Sequence, residues 1–162
     1  MSKRSTLRLL WATSVLALAA CASMSPPPAS IADTVARTPE LSTLNRLLNE
    51  AGLADTLRGP GPFTVFAPND EAFKAIPAAD LAKLAADKDA LRSVLTFHVV
   101  PGKLTSADIK NGPVKTVQGD SLALSKAGTF VTVEDAVVLS ADLATTNGTL
   151  HVIDRVLMPP KK

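Results

Sequence analysis

Internal disulfides are excluded from the outset: the 162-residue chain has a single cysteine, Cys21, with nothing in the chain to pair with. It has no tyrosine and one tryptophan, Trp11. Its five phenylalanines, Phe63, Phe66, Phe73, Phe97 and Phe130, lie on apolar-patterned segments and read as core. Base- and sugar-stacking surfaces need exposed rings, and interface hot spots favour Trp and Tyr, so any partner surface must work with other residues. Two histidines, His98 and His151, are the only imidazoles for near-neutral proton transfer or metal ligation. No HxxxH pair, Cys/His cluster or GxSxG elbow accompanies them. The acidic residues lack the spacing of a calcium loop. Gly59-Pro60-Gly61-Pro62 is no phosphate cradle, because its prolines remove amide donors. No metal or cofactor is therefore expected. A Ser-His-Asp set assembled only in space is the one enzymatic arrangement left open. His98 reads as a satisfied interior histidine. His151 alternates with Leu150 and Val152 and is expected on the opposite, exposed face.

The first residues, MSKRSTLRLLWATSVLALAAC, have the three-part layout of a secretory signal: a basic start, an apolar run of about a dozen residues, and small residues at its end. The run is too short for a transmembrane helix of roughly 20 residues. Leu18-Ala19-Ala20-Cys21 resembles the lipobox of bacterial lipoproteins. That likeness implies cleavage before Cys21, a diacylglyceryl group on its thiol, and anchoring by several acyl chains. An ordinary cleaved signal is the alternative. Ala22, a non-aspartate after the cysteine, points by the same likeness to the outer membrane, facing periplasm or surface; a secreted or periplasmic protein is the other outcome. The signal 1–20 holds three basic residues and no acidic ones, so the precursor's 17 Lys+Arg and 15 Asp+Glu become 14 against 15. No basic patch survives, which argues against nucleic acid as a partner. Residues 21–30, with Pro26, Pro27 and Pro28, read as a lipidated cysteine and stiff tether.

Residues 31–160 are expected to form one domain. Thr38 stands as a cap, with Pro39 first in the helix and Glu40 in its first turn. Leu41, Leu44, Leu47, Leu48 and Ala51 then share a face, and Gly52 stops it. Phe63 to Ala67 reads as a strand. Asn69 or Asp70 caps a short helix through Phe73 and Lys74. Further helices begin at Asp80 and Asp87, and Phe97 to Val100 changes to strand character. The second half carries short apolar runs at 114–117, 121–124, 130–133, 137–139 and 150–157, separated by turn residues, with Asn147-Gly148 as a tight-turn signal. The pattern predicts an α+β domain, a β-sandwich or folded sheet of short strands packed with several helices, the helices mainly in the N-terminal half.

Three segments stand out together: 64–73, TVFAPNDEAF; 95–102, LTFHVVPG; and 147–159, NGTLHVIDRVLMP. In order and spacing they resemble the two signature motifs of the fasciclin domain and the aromatic-histidine segment between them. The resemblance covers about 31–160. It implies a β-sandwich packed against helices, a cell-surface or secreted setting, and adhesion or protein interaction rather than catalysis. The motif residues Phe66, Pro68, Asn69, Asp70, Phe73, Phe97, His98, Asn147, Gly148, His151 and Asp154 read best as fold devices. Asp154 and Arg155 are placed to pair locally or with other charges. Where many members carry Tyr-His, this chain has Phe97-His98, so an adhesive role of that pair does not carry over. Asn147-Gly148-Thr149 fits an N-glycosylation sequon, an accidental match in a bacterial lipoprotein.

The expected function is an envelope-anchored adhesion or protein-interaction module, non-enzymatic, with an unidentified protein or matrix partner and the membrane held through the lipid. The alternative is a periplasmic small-molecule-binding or sensor protein, which needs an apolar pocket with a few polar groups.

Overall fold

The computed structural model describes residues 29–160; the expected signal, Cys21 and most of the tether lie outside them. Helix α1, Ile31–Arg37, starts at Ser30, whose hydroxyl accepts the Asp33 N–H at 3.2 Å. Ile31 and Val35, one turn apart, are fully buried. A 3-10 turn, Pro39–Leu41, leads into α2, Ser42–Glu50. Thr38 does not cap it: the Thr38 hydroxyl donates to Thr34 O at 2.7 Å. Leu44, Leu47 and Leu48 form the buried face of α2. Helix α3 is Ala54–Arg58, α4 Asp70–Lys74, α5 Ala78–Ala86 and α6 Lys88–Phe97. The Asp87 carboxylate caps α6 by accepting the Asp89 and Ala90 N–H groups. Phe97 thus ends a helix; strand character begins only at Val99.

Seven strands follow the order β2-β1-β7-β6-β5-β4-β3. They are β1 Phe63–Pro68, β2 Val99–Pro101, β3 Gly112–Lys115, β4 Ser121–Ala127, β5 Phe130–Val133, β6 Ala136–Thr145 and β7 Gly148–Ile153. Strands β1 and β7 are parallel, Phe63 opposite Gly148 and Pro68 opposite Ile153; the other pairs are antiparallel. The central parallel pair is covered on both sides, as such pairs require, and every residue of β7 is buried. On one face Val65, Ala67, Leu150 and Val152 pack against Ile31, Leu44, Leu47 and Leu91 of the helices. On the other, Phe66 and Ile153 meet Leu122, Leu124, Val131 and Val133 of β4 and β5, so the sheet folds over a second core. Each fully buried Leu, Ile or Phe there is worth about 1.5–3 kcal/mol. The edges nearly close the barrel: the Val117 N–H, just past β3, donates to Val99 O of β2 at 2.8 Å. Pro101 and Pro113 sit on the two edge strands and lower their capacity to pair with another chain.

Two more expectations change. Phe130 is 71% exposed rather than core, because Val131 and Val133 take the inward positions of β5 and period-two alternation turns Phe130 outward. Strand β7 ends at Ile153, and 154–157 leave the sheet, with Leu157 still buried.

Candidate functional site

The segments singled out in the sequence converge on the sheet and its two ends. Pro68 closes β1. The Asn69 side chain accepts the Ala72 N–H at 2.8 Å and starts α4. Asp70 turns away and caps a different helix: its carboxylate accepts the Thr43 N–H at 2.8 Å and the Ser42 hydroxyl at 2.7 Å, supplying α2 with the cap its own preceding residue lacks. Partial burial raises the Asp70 carboxyl pKa, but the hydrogen bonds from Ser42 and Thr43 outweigh it and hold the group below its ordinary value. Phe73 of α4 seals the helical core.

Asn147 joins four segments. Its Oδ1 accepts the Ile31 N–H at 2.9 Å, and its Nδ2 donates to Leu57 O at 2.7 Å and Gly59 O at 2.9 Å. Its main-chain carbonyl accepts the Phe63 N–H. The amide is spent on the fold, which leaves the sequon structural. The turn between β6 and β7 consists of Thr146 and Asn147, flanked by the pair Thr145 and Gly148. Neither Asn147 nor Gly148 has positive φ, so Gly148 does not serve a left-handed turn. It serves close approach: a Cβ there would overlap the Phe63 carbonyl oxygen and crowd the Ile31 side chain.

The imidazoles are both interior. His98 follows α6; Nδ1–H donates to Val94 O at 2.8 Å, and Nε2 accepts the Leu157 N–H at 3.0 Å. That leashes the segment after β7 to α6. Burial, partly offset by the Val94 hydrogen bond, pushes its pKa down to about 4, so it is neutral at pH 7. His151 is fully buried, contrary to the alternation argument. Its strand has no solvent face, and the ring stacks on Phe66 with centroids 5.3 Å apart. Nε2–H donates to Leu104 O at 2.9 Å and Nδ1 accepts the Asp142 N–H at 3.3 Å. Asp142 has φ of 60° and lies where β6 loses register against β7, so His151 satisfies a bulge amide. Burial, against the Leu104 hydrogen bond and the Asp142 charge, lowers its pKa.

The Asp142 carboxylate takes the Ser106 N–H and hydroxyl. Ser106, Asp142 and His151 are thus neighbours. Yet the hydroxyl is held by the carboxylate and the ring by main-chain groups, an arrangement without the nucleophile–base bond of a triad. Neither histidine has a nucleophilic side chain among its hydrogen-bond partners. Asp154 Oδ1 accepts the Val137 N–H at 2.7 Å, bracing β6 against the end of β7. Among the described residues no group of three or more His, Cys, Asp or Glu is placed to hold a metal ion, and no helix is long and apolar enough to cross a membrane. Two open grooves stand out. One, of about 460 Å³, is lined by Phe97, Glu134, Asp135, Ala136, Leu157 and Met158. The other, of about 620 Å³, runs past Arg46, Phe73, Lys74 and Leu81. A wholly apolar pocket beside Leu48, Leu57 and Val117 holds only about 30 Å³, far below the 300–1,000 Å³ of typical ligand sites.

The sequence pattern of the fasciclin domain matches residues 39–159. This chain belongs to the fasciclin domain family. Among relatives, Synechocystis protein sll1483 is 41% identical over 133 residues, covering 81% of this chain and 74% of its own. The cell surface glycolipoprotein MPB83 of Mycobacterium bovis is 38% identical, with 80% of this chain and 60% of that protein covered. The porcine transforming growth factor-beta-induced protein ig-h3 is 37% identical, and this chain spans 20% of its length. The FAS1 domain pair from the insect cell adhesion molecule Fasciclin I superposes with a TM-score of 0.67 at 19% identity, over 81% of this chain and 51% of that one; this establishes the fold. The fasciclin motif residues Asn69, Asp70, His98, Asn147, His151 and Asp154 all act here as hydrogen-bonding brackets. Helix α1 was not expected, although the Ser30 cap with Ile31 and Val35 one turn apart signals it. Nor was the part played by Thr64, a buried hydroxyl that donates to Gly102 O at 2.7 Å and accepts the Leu104 N–H at 2.8 Å. Nothing local marks Thr64 as more than a strand residue.

Proposed function

We propose that this chain is a lipoprotein of a bacterial cell envelope, cut before Cys21, lipidated there, and displaying its fasciclin domain as a non-enzymatic adhesion or protein-interaction module, most plainly from the outer membrane. The observation that carries the reading is the family membership of the whole domain, with relatives named as a cell surface glycolipoprotein and, for the fold, a cell adhesion molecule. The chemistry of the interior agrees with it. Both imidazoles are buried and committed to main-chain groups, so the residues best suited to proton transfer work as scaffolding. The sequence before residue 29 supports the anchor: a basic start, a short apolar run and Leu-Ala-Ala-Cys at its end. Several acyl chains at about 0.8 kcal/mol per buried methylene would hold the domain at the bilayer indefinitely, and a surface-confined module gains effective concentration for weak contacts.

Photo-crosslinking in living cells tests the reading. A photoreactive residue on the exposed faces of the membrane-bound protein should capture a defined envelope or matrix protein, reproducibly and from one face more than the others. Failure to capture a protein from any exposed face would contradict it.

A further inference from the structure

Phe130 is the only exposed phenylalanine among the described residues, at 71%. Ala127 pairs with Phe130 across a two-residue turn, so β4 and β5 hold the ring at a fixed place on the hairpin tip. Covering it costs little backbone freedom. Around that tip cations are in excess. Lys126 lies opposite Val131, Lys103 and Lys126 both act on Asp108, and Lys110 is exposed two residues beyond Asp108. Against these three lysines stand Asp108, tied to Thr105, and Asp142, tied to Ser106. The other end of β5 has the opposite character. Glu134 and Asp135 form the turn to β6 and wall the groove of about 460 Å³, with Phe97, Ala136 and Leu157 beneath and Met158, 53% exposed, at its border. One cation, Arg155, also lines it. No ion pair among the described residues involves Glu134, Asp135 or Arg155.

An apolar ring among lysines and an apolar groove walled by carboxylates match in shape and in charge. They cannot meet within one chain. Four residue steps at about 3.3 Å each put Phe130 roughly 13 Å from Glu134 along one extended strand. Resting on the interaction-module reading, we propose that the partner is a second copy of this chain: the Phe130 hairpin tip of one copy enters the Glu134/Asp135 groove of the next. Ring and groove are different surfaces, so the contact is head-to-tail and leaves one of each free at the ends. Other routes to self-association are poor. Pro101 and Pro113 obstruct pairing along the edge strands. Residues 21–162 hold 14 Lys+Arg against 15 Asp+Glu, so copies repel one another little. One ring and a few screened charges make a weak contact in solution, of the kind that confinement to a surface strengthens.

Sedimentation velocity on the chain from Cys21 to Lys162, kept reduced and free of lipid, tests this apart from any anchor. The wild type should form species larger than a dimer as its concentration rises toward about 1 mM, the range that confinement reaches. Phe130→Ser removes the ring, and Asp135→Lys with Met158→Lys blocks the groove. Each variant should associate about tenfold more weakly or worse. All three positions are exposed, so far-UV circular dichroism should stay that of the wild type. Mixing the two variants is decisive. The intact groove of the first accepts the intact ring of the second, so the mixture should give a one-to-one heterodimer that grows no further. A wild type that stays monomeric at about 1 mM would overturn the proposal. So would variants that associate like the wild type, or a mixture that forms no heterodimer. Failed self-association with another protein captured by crosslinking in cells sinks this inference and leaves the interaction-module reading standing; capture of nothing, this chain included, sinks both.

Discussion

Replacing Asn147 with alanine removes three hydrogen bonds at once, to the Ile31 N–H, Leu57 O and Gly59 O, and unties α1 and the end of α3 from the β6–β7 turn. At a net 0.5–1.5 kcal/mol each the full loss spans about 1.5–4.5 kcal/mol. Asn147 is half-buried and borders an open depression of about 360 Å³, so water can replace part of what is lost. That places the cost near 2 kcal/mol, or about 8 °C in Tm for a domain of this size. Asn147→Asp sharpens the test. It keeps an acceptor for Ile31 but turns a donor into an anion facing two carbonyl oxygens, so it should cost more than alanine. A residue needed only for a tight turn would show the reverse, because aspartate suits turns well. The assay is urea unfolding of residues 21–162 followed by far-UV circular dichroism, since that stretch has no tryptophan to report. An alanine variant within about 0.5 kcal/mol of wild type, or an aspartate variant as stable as wild type, would refute the bracket.

Three further predictions follow from the same geometry. Gly148→Ala should cost more than Asn147→Ala, over about 3 kcal/mol, because the clash is with backbone on the parallel neighbour; thermal unfolding checks it. Asp70→Ala should cost about 1–2 kcal/mol as a lost cap and raise amide exchange first at Thr43. His98 makes stability depend on pH. The folded pKa, about 4, lies below the ordinary 6.5, so the unfolded chain binds the proton first as pH falls. Its contribution is intact above about 6.5 and falls by about 3 kcal/mol down to about 4. His151 acts in the same direction. Urea midpoints between pH 7 and 4 check this, and His98→Asn should flatten the slope.

Much of the fold is legible in the sequence because its signals are local. The strand Phe63–Ala67, the Asn69 cap and the Leu44/Leu47/Leu48 face each follow from propensity or periodicity. What was not legible is non-local. Asp70 reads as an alternative cap for α4, yet it is the first residue of that helix and serves α2, with Thr43 27 residues earlier. Gly148 looks like half of an Asn-Gly turn, whereas its requirement comes from Phe63 on the parallel strand. His151 alternates as though one side were solvent, but β7 is central and has none. Phe130 reads as core by residue type, and only the register of β5 turns it outward. The candidate site was visible as a set of motif residues; that its six polar members are brackets depends largely on partners far along the chain.

The proposed function stands or falls with lipid on Cys21 holding the fasciclin domain at a membrane. Intact mass and N-terminal peptide mass of the protein recovered from its own host test it most directly. The protein should begin at Cys21 and carry a diacylglyceryl group on the thiol, with almost no absorbance at 280 nm because Trp11 has been removed. A chain that retains Trp11, or one that begins at or after Cys21 with no lipid, would contradict it.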